Sequence, residues 1–334
     1  MLTPRCSLLT KIGAHGVTNS SVSTKAGTDP DTETAAVVLR GVSKRYDSVQ
    51  AVDGVDLCVQ RGELFGLIGH NGAGKSTLFK MMLGLIKPSA GTIHVAGVAV
   101  QGADFRMARR KIGYLPENLV LYDNLTALET MRFFAKLKGA DVGSCSALLE
   151  RVGLGGVAGR VVHEFSKGMR QRLGFAQALL GSPRVLFLDE PSSGLDPGAI
   201  RDFYAQLREL RAQGVTIVIT SHILADLQER VDRLAIMESG KIQAIGSVHA
   251  LREQLDFPLS IALRVEPALL CDLQSHLRAT LGVDLHMESN WAIIRCPRPA
   301  KMAVLAALAP WSGRLLDLHI HEPSLEDVFF GLRS

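Results

Sequence analysis

A glycine-rich octapeptide constrains the fold of this 334-residue chain more than any other feature. It occupies residues 69–76, with the sequence GHNGAGKS, between an apolar strand predicted at 64–68 and an amphipathic helix. Such glycines let backbone N–H groups turn inward around phosphate oxygens, and the helix N-terminus adds its positive end. Lys75 then reaches the β- and γ-phosphates, while the Ser76 hydroxyl binds Mg²⁺. The candidate phosphate-binding residues are Gly69, His70, Asn71, Gly72, Ala73, Gly74, Lys75, Ser76 and Thr77.

An acidic pair follows a second apolar segment. The strand predicted at 185–188 ends in Asp189 and Glu190. Alone this pair would be ordinary surface, but beside a phosphate loop it predicts that Asp189 holds Mg²⁺, directly or through water, and that Glu190 positions or deprotonates the attacking water. His222 follows a strand predicted at 215–220, at the edge of the sheet where ligands bind. A structural role is the alternative for this histidine.

The order of apolar segments predicts two folded units. The first, at about 36–250, is an α/β unit with added antiparallel strands and a helical insertion at about 124–180. With its glycine-rich loop it resembles a P-loop NTPase, and this resemblance implies a RecA-like α/β core with an antiparallel β subdomain. Within the insertion, Thr126 and Glu129 form a capping box whose helix ends near Gly139. A strand, helix, two strands, helix, strand order then predicts a small ferredoxin-like α+β domain at 258–334, closed by a short helix. Residues 1–35, rich in Ser, Thr, Gly and Asp, are predicted to be a disordered tail. Further strands are predicted at 37–39, 55–59, 92–95 and 234–237.

Composition narrows the classes of function. The mean hydropathy is +0.17 with 47% apolar residues, yet no apolar stretch approaches the roughly 18 residues of a membrane span. Membrane work is therefore expected of a partner. The net charge of +4 is dispersed along the chain, without the basic stripe of nucleic-acid-binding proteins, so no nucleic-acid partner is expected. Five cysteines without a CxxC pair favour free thiols in a reducing cytosol.

The order of motifs over about 36–250 resembles the nucleotide-binding domain of ABC transporters. The segment FSKGM at 165–169 resembles the ABC signature, with Ser166, Lys167, Gly168 and Met169 as candidate nucleotide contacts. The segment 193–196, ending in Asp196, resembles the D-loop, and His222 resembles the switch histidine. Tyr46 resembles the aromatic residue that stacks on adenine, although a core position is an equal alternative.

The resemblance also implies cofactors and partners. It implies that ATP and Mg²⁺ are bound, and that two cassettes pair head to tail so that each signature caps the γ-phosphate held by the other. One cassette in this chain implies a homodimer, or pairing with a related subunit. The pair would work on a transmembrane permease from the cytoplasmic face of the cell membrane.

Two segments of this chain depart from the family pattern, and these departures narrow the resemblance to one group within the family. The Q-loop position carries Glu117 instead of glutamine, and the signature carries Lys167 and Met169. Glu117 can still bind Mg²⁺ as an oxygen donor, but its charge lies near the γ-phosphate; Lys167 would offset that charge across the dimer, or would be a solvated lysine at a helix terminus.

The stretches at 69–75, 113–118 and 166–174 resemble those of the ATPase that serves copper-centre maturation of nitrous oxide reductase, which would add a periplasmic partner acting through the permease. The alternatives are the ATPase of a multidrug, polysaccharide or sodium exporter and, less favoured, a soluble ABC protein acting on ribosomes or DNA. His319 and His321 share a strand face, but two imidazoles make an incomplete copper site.

Overall fold

The computed structural model describes residues 35–224, 227–254, 258–288 and 290–321, and the side chains of 252–254 are not described. The predicted tail lies outside these residues except for Ala35, which begins the first strand, and the predicted terminal helix lies outside them as well. The described strands are β1 (Ala35–Tyr46), β2 (Val49–Gln60), β3 (Leu64–Ile68), β4 (Ala90–Val95), β5 (Val98–Ala99), β6 (Ile112–Leu115), β7 (Val185–Asp189), β8 (Thr216–Ser221), β9 (Arg233–Glu238), β10 (Lys241–Gly246), β11 (Leu259–Val265), β12 (Leu285–Glu288), β13 (Trp291–Cys296) and β14 (Leu315–His321). The described helices are α1 (Lys75–Met82), α2 (Phe105–Ala108), α3 (Ala127–Lys138), α4 (Ser144–Arg151), α5 (Lys167–Leu179), α6 (Pro197–Ala212), α7 (Val248–Gln254), α8 (Leu270–Leu281) and α9 (Lys301–Leu308).

A six-stranded sheet forms the core, with strand order β10-β9-β3-β8-β7-β6. All pairs are parallel except the edge pair β10–β9. Strands β3, β7 and β8 are buried along their whole length, as expected for parallel strands with both faces covered. The strands predicted at 64–68, 185–188, 215–220 and 234–237 are confirmed within a residue or so, and together they bring the carboxyl ends of β3, β7 and β8 to one edge.

A second sheet, β2-β1-β4-β5, is antiparallel. Its strands β1 and β2 each run for 12 residues, well beyond the strands predicted at 37–39 and 55–59. The extension contains register shifts, and bulged polar segments hide the period-2 pattern on which a sequence reading depends. Apolar side chains of this sheet pack with helix α1 and one face of the core sheet, where Phe79 meets Phe187 edge to face at 5.4 Å.

Helices α3, α4 and α5 occupy the stretch predicted to be helical. The capping box is confirmed: Thr126 Oγ1 accepts from the Glu129 N–H, and Glu129 Oε2 accepts from the Thr126 N–H. Helix α3 ends at Gly139, whose φ of 70° places it in the left-handed region, where glycine carries no steric penalty. These helices share an apolar core with the other face of the central sheet.

The third sheet has the strand order β12-β13-β11-β14, and all of its pairs are antiparallel. Helices α8 and α9 connect its strands in the predicted βαββαβ order. Its own apolar core includes Ile261, Leu273 and Ile294. Within the described residues, no helix combines the length and apolar character that a membrane crossing requires.

Candidate functional site

The glycine loop joins β3 to α1 and lies against two other strands. A Cβ atom at Gly69 would clash with the carbonyl oxygen of Met237, and one at Gly74 would lie 2.5 Å from that of Ala51. Gly74 also precedes the helix with a φ of 105°, which L-residues rarely adopt. Both positions therefore require glycine, because the loop backbone has no room for a side chain.

Lys75 is buried within this loop. Its Nζ atom donates to the carbonyl oxygens of Gly69, at 2.5 Å, and His70, at 3.2 Å. Burial lowers the pKa of Lys75, while the negative charges of Glu190, Asp189 and Glu117 act to raise it. The loop thus holds a desolvated cation at the N-terminus of α1, which strengthens its attraction for an anion.

Asp189 ends β7 and is tied to the neighbouring strand. Thr220, on β8, donates its hydroxyl proton to Asp189 Oδ1 at 2.6 Å and accepts from the Glu190 N–H at 2.9 Å. Burial raises the pKa of Asp189, whereas the hydrogen bond from Thr220 acts to lower it. A residue that the sequence analysis did not single out therefore orients both acidic positions.

Glu190 follows with a φ of 49°, which is uncommon for a non-glycine residue. This turn directs its carboxylate between the side chains of His222 and Lys75. Oε2 lies 2.8 Å from Nδ1 of His222, and Oε1 lies 3.9 Å from Nζ of Lys75. The structure thus brings together the three residues to which the sequence analysis gives roles in positioning water and phosphate.

Lys75, Glu190 and His222 face a single cleft of about 390 Å³, whereas Asp189 is not among the residues that line it. Its lining contains most of the predicted phosphate-binding residues and several that the sequence analysis missed, from the start of β2 and from the β9–β10 turn. The lining residues are Val49, Gln50, Ala51, His70, Asn71, Gly72, Ala73, Gly74, Lys75, Ser76, Thr77, Glu117, Glu190, His222, Ser239 and Gly240. Backbone hydrogen bonds from Gly240 N to Ala73 O and from Asp53 N to Gly240 O hold these elements together.

Tyr46 is not among the residues that line this cleft. It lies exposed at the end of β1, with the Lys44 ammonium 5.0 Å from its ring centroid. A position in the hydrophobic core, the alternative to adenine stacking, is therefore wrong. Contact with adenine stays a prediction.

Glu117 follows β6 at the rim of the cleft. Burial raises the pKa of the neighbouring Tyr114 to about 12, and the charges of Asp189 and Glu117 add to this effect. The charge of Glu117 also acts to raise the pKa of Asp189. Its predicted position near the γ-phosphate stays a prediction.

The signature segment lies outside the lining of the cleft. Ser166 caps α5 by accepting from the Met169 N–H at 3.2 Å. Lys167 bends over the D-loop of its own chain, so that a Cβ at Gly194 would lie 2.5 Å from the lysine Nζ. The Lys167 side chain is exposed to solvent, and part of it also packs against Gly194.

Polar side chains fix the D-loop and the signature helix to their surroundings. Asp196 caps α6 by accepting from the Ala199 N–H at 2.9 Å, and this hydrogen bond lowers the Asp196 pKa. On α5, the buried Gln171 donates to the carbonyl oxygen of Pro191 at 3.2 Å. That contact joins the signature helix to the residue that directly follows Glu190.

The oxygen donors in the cleft and at Asp189, directly before the lining residue Glu190, suit Mg²⁺. Ser76 offers a hydroxyl, and Asp189 and Glu117 offer carboxylates, which are hard ligands that Mg²⁺ accepts alongside water and substrate phosphates. Within the described part of the chain, no group of three or more His, Cys, Asp or Glu side chains could hold a metal by itself. A cation held jointly by these few oxygens and a nucleotide therefore fits the cleft, and the geometry defines the class as a P-loop ATPase.

Comparison with known proteins defines the family. The family described as ABC transporter matches residues 52–193. The Nod factor export ATP-binding protein I of Burkholderia lata is 36% identical over 305 residues, covering 89% of this chain and 97% of that protein. The linearmycin resistance ATP-binding protein LnrL of Bacillus subtilis is 32% identical, covering 87% of this chain and 96% of that protein.

Solved structures agree with this result. A structure described as the ATP-binding subunit of an ABC transporter is 33% identical, with a TM-score of 0.61 and coverage of 66% of this chain and 92% of that one. A dimeric, post-hydrolysis ATP-binding cassette with bound ADP and Pi is 25% identical, with a TM-score of 0.59 and coverage of 63% and 98%. The chain belongs to the ABC transporter ATP-binding protein family. It is therefore an ATPase and the ATP-binding subunit of an ABC transporter.

Proposed function

We propose that this chain powers an exporter by hydrolysing ATP between two copies of itself at the cytoplasmic face of a membrane, with a transmembrane permease as partner. The observation that carries the proposal is the position of Glu190, whose carboxylate lies 2.8 Å from His222 and 3.9 Å from Lys75 in the cleft of the glycine loop. A carboxylate fixed between these groups is suited to activating water beside a phosphate.

The chemistry follows from the charges around that carboxylate. Glu190 accepts a proton from water as the water oxygen bonds to the γ-phosphorus, the bond from that phosphorus to the β-phosphate oxygen breaks, and ADP and phosphate leave. His222 orients the carboxylate through Oε2. Lys75 and the loop N–H groups stabilise the negative charge on the phosphates. Ser76, Asp189 and Glu117 would hold Mg²⁺, which neutralises phosphate charge when bound.

Dimerisation supplies the contacts that one copy lacks. Ser166, Gly168 and Asp196 lie away from the cleft of their own chain, although family resemblance gives the signature and D-loop roles at the nucleotide. In the proposed dimer they would meet the nucleotide of the second copy. The dimeric ATP-binding cassette with bound ADP and Pi, which resembles this chain, supports the arrangement.

The names of similar proteins favour export as the work done. They include Nod factor export, linearmycin resistance and a probable multidrug transporter protein, YbhF of Escherichia coli, which is 36% identical over 73% of this chain but matched over only 43% of its own length. We therefore propose that the transporter exports its cargo, as the names of these similar proteins indicate for them. None of these names supports the copper-centre hypothesis, which rests on Glu117 and Lys167 and stays a prediction with its periplasmic partner.

Phosphate release from ATP by the purified chain tests the proposal. We expect Mg²⁺-dependent turnover that Lys75→Ala abolishes, because the variant loses the buried ammonium of the cleft. Lys87→Ala is the matched control, since Lys87 is exposed and lies outside the cleft lining. Turnover unchanged by Lys75→Ala would contradict the assignment of this cleft.

A different experiment tests the cargo. If the copper-centre hypothesis is right, a strain that respires nitrous oxide and lacks this chain makes nitrous oxide reductase with an incomplete copper centre. The copper content and optical spectrum of the purified reductase measure this. A fully loaded enzyme would contradict the copper hypothesis and leave the exporter proposal standing.

A further inference from the structure

A second concave site is formed by residues between 106 and 138, which follow the phosphate loop in the sequence. It is a cleft of about 560 Å³ formed by α2, the turn that follows it and the C-terminal end of α3. The six lining residues are Arg106, Met107, Arg109, Arg110, Leu137 and Lys138. Four of the six are cationic and none is acidic, so the cleft attracts anions. It shares no lining residue with the nucleotide cleft.

The cations of this cleft have no acidic partner in the part of the chain that the structure describes. Among the described residues, none of the four cations forms a salt bridge. The guanidinium of Arg110 lies beside Gly139, where a Cβ would be 3.7 Å from its Cζ atom, at the end of α3. The C-terminus of a helix carries a partial negative charge that favours nearby cations, but this charge is only a fraction of an elementary charge.

Lys138 is a half-buried member of the cleft lining. Burial lowers its pKa to about 8, and the positive charge of Lys111 adds to the lowering. Among the residues with described positions, no carboxylate opposes these two effects on the Lys138 pKa. A bound anion would act against both effects on the Lys138 pKa, because opposite charges at short range favour the charged form of an amine.

We propose that this cleft binds the phosphate group of an anionic membrane lipid. Arginine guanidinium groups bind phosphate oxygens in pairs with matched geometry. Met107 and Leu137 are 62% and 68% exposed beside the cations, and apolar side chains flanking basic ones are typical of a surface that contacts lipid headgroups and the acyl chains below them.

The chemistry of the lining favours a compact anion over a protein segment. The lining offers guanidinium and ammonium donors, and none of its six side chains is a strong hydrogen-bond acceptor. An acidic peptide would present backbone N–H groups that need acceptors, whereas a phosphate group presents only oxygens. The inference concerns membrane contact by this face, and it does not depend on the identity of the cargo.

Vesicle sedimentation with the full chain tests the proposal. The vesicles contain either phosphatidylcholine alone or phosphatidylcholine with phosphatidylglycerol. We expect binding to the anionic vesicles, weakened by added salt. The Arg109→Gln/Arg110→Gln variant should bind roughly 30-fold more weakly, because each cation near an anionic surface contributes about fivefold. Arg201→Gln/Arg208→Gln, which removes two exposed cations from α6, is the matched control and should bind like the parent chain.

Any of four other outcomes would overturn the proposal. Equal binding to neutral and anionic vesicles would show that the cations take no part. Equal loss in the two double variants would show an effect of net charge and no built site. Calorimetry that detects inorganic phosphate in this cleft without vesicle binding would assign it to a free anion, and loss of permease assembly without loss of vesicle binding in the Arg109 and Arg110 variant would assign it to an acidic segment of the permease. ATP turnover of each variant verifies folding and is expected to be unchanged.

Discussion

The substitution Glu190→Gln separates catalysis from binding at the nucleotide cleft. Glutamine has almost the same volume and can keep the 2.8 Å contact with His222, but it cannot take a proton from water. Loss of a positioned general base costs about 10²- to 10⁴-fold in rate. We therefore expect the rate of ATP hydrolysis to fall by at least about 100-fold, while the fold is unchanged.

The effect on binding follows from the distance to Lys75. At 3.9 Å between Nζ and Oε1, the gross attraction is about 4 kcal/mol at an effective dielectric constant of about 20. The substitution removes this attraction, and it also removes a negative charge that repels the phosphates of ATP. Lys75 becomes more available to the nucleotide, so ATP should bind with equal or higher affinity.

Phosphate release at saturating ATP measures the rate, and titration with a fluorescent ATP analogue measures the affinity. Glu266→Gln, an exposed position on the C-terminal unit, controls for loss of one carboxylate. A Glu190→Gln rate within tenfold of the parent would refute Glu190 as the base. Weaker binding with normal turnover would instead mean that the carboxylate holds the nucleotide.

Three further predictions follow from contacts around the same cleft. Gly69→Ala should lower the melting temperature, since overpacking against the Met237 carbonyl costs about 1–3 kcal/mol, whereas Gly156→Ala, with nothing within 4 Å of its Cβ, should not. Thr220→Val removes the hydrogen bond that opposes the raised Asp189 pKa. Mg²⁺ needs the ionised carboxylate, so activity is lost as pH falls through the Asp189 pKa. The variant should therefore lose activity at a higher pH than the parent chain. An unchanged acidic side of the pH–activity profile would exclude Asp189 as the group that titrates there. Light scattering of the Glu190→Gln chain should show dimers with ATP and monomers without it, and equal dimerisation in both would indicate that the C-terminal unit makes the main contact.

Local signals made much of the fold predictable. The capping box of Thr126 and Glu129 and the terminating Gly139 define α3 because their hydrogen bonds and dihedral angles lie within a few residues. The strand before the glycine loop was predictable because its five residues are all buried and apolar apart from one glycine. Such patterns can be read from the sequence because the residues that determine them are close neighbours along the chain.

Long-range contacts explain what the sequence analysis missed. Thr220 organises Asp189 and Glu190 across about 30 residues of sequence, and no periodicity reports such a pairing. Strand β6 has only four residues and contains Gly113, where a Cβ would clash with the carbonyl oxygen of Ala178. A sequence reading takes that glycine as a turn signal, although it is required here by close packing against α5.

The backbone of Glu190 also limits which residues can occupy this position. Its φ of 49° disfavours β-branched and bulky side chains, while asparagine and aspartate tolerate this region better than most. Aspartate, however, is one methylene too short to reach His222 from the same backbone. A library randomised at this codon should therefore yield well-folded proteins with Gly, Asn or Asp, and active ones with Glu, so that selection for stability and selection for turnover would enrich different residues.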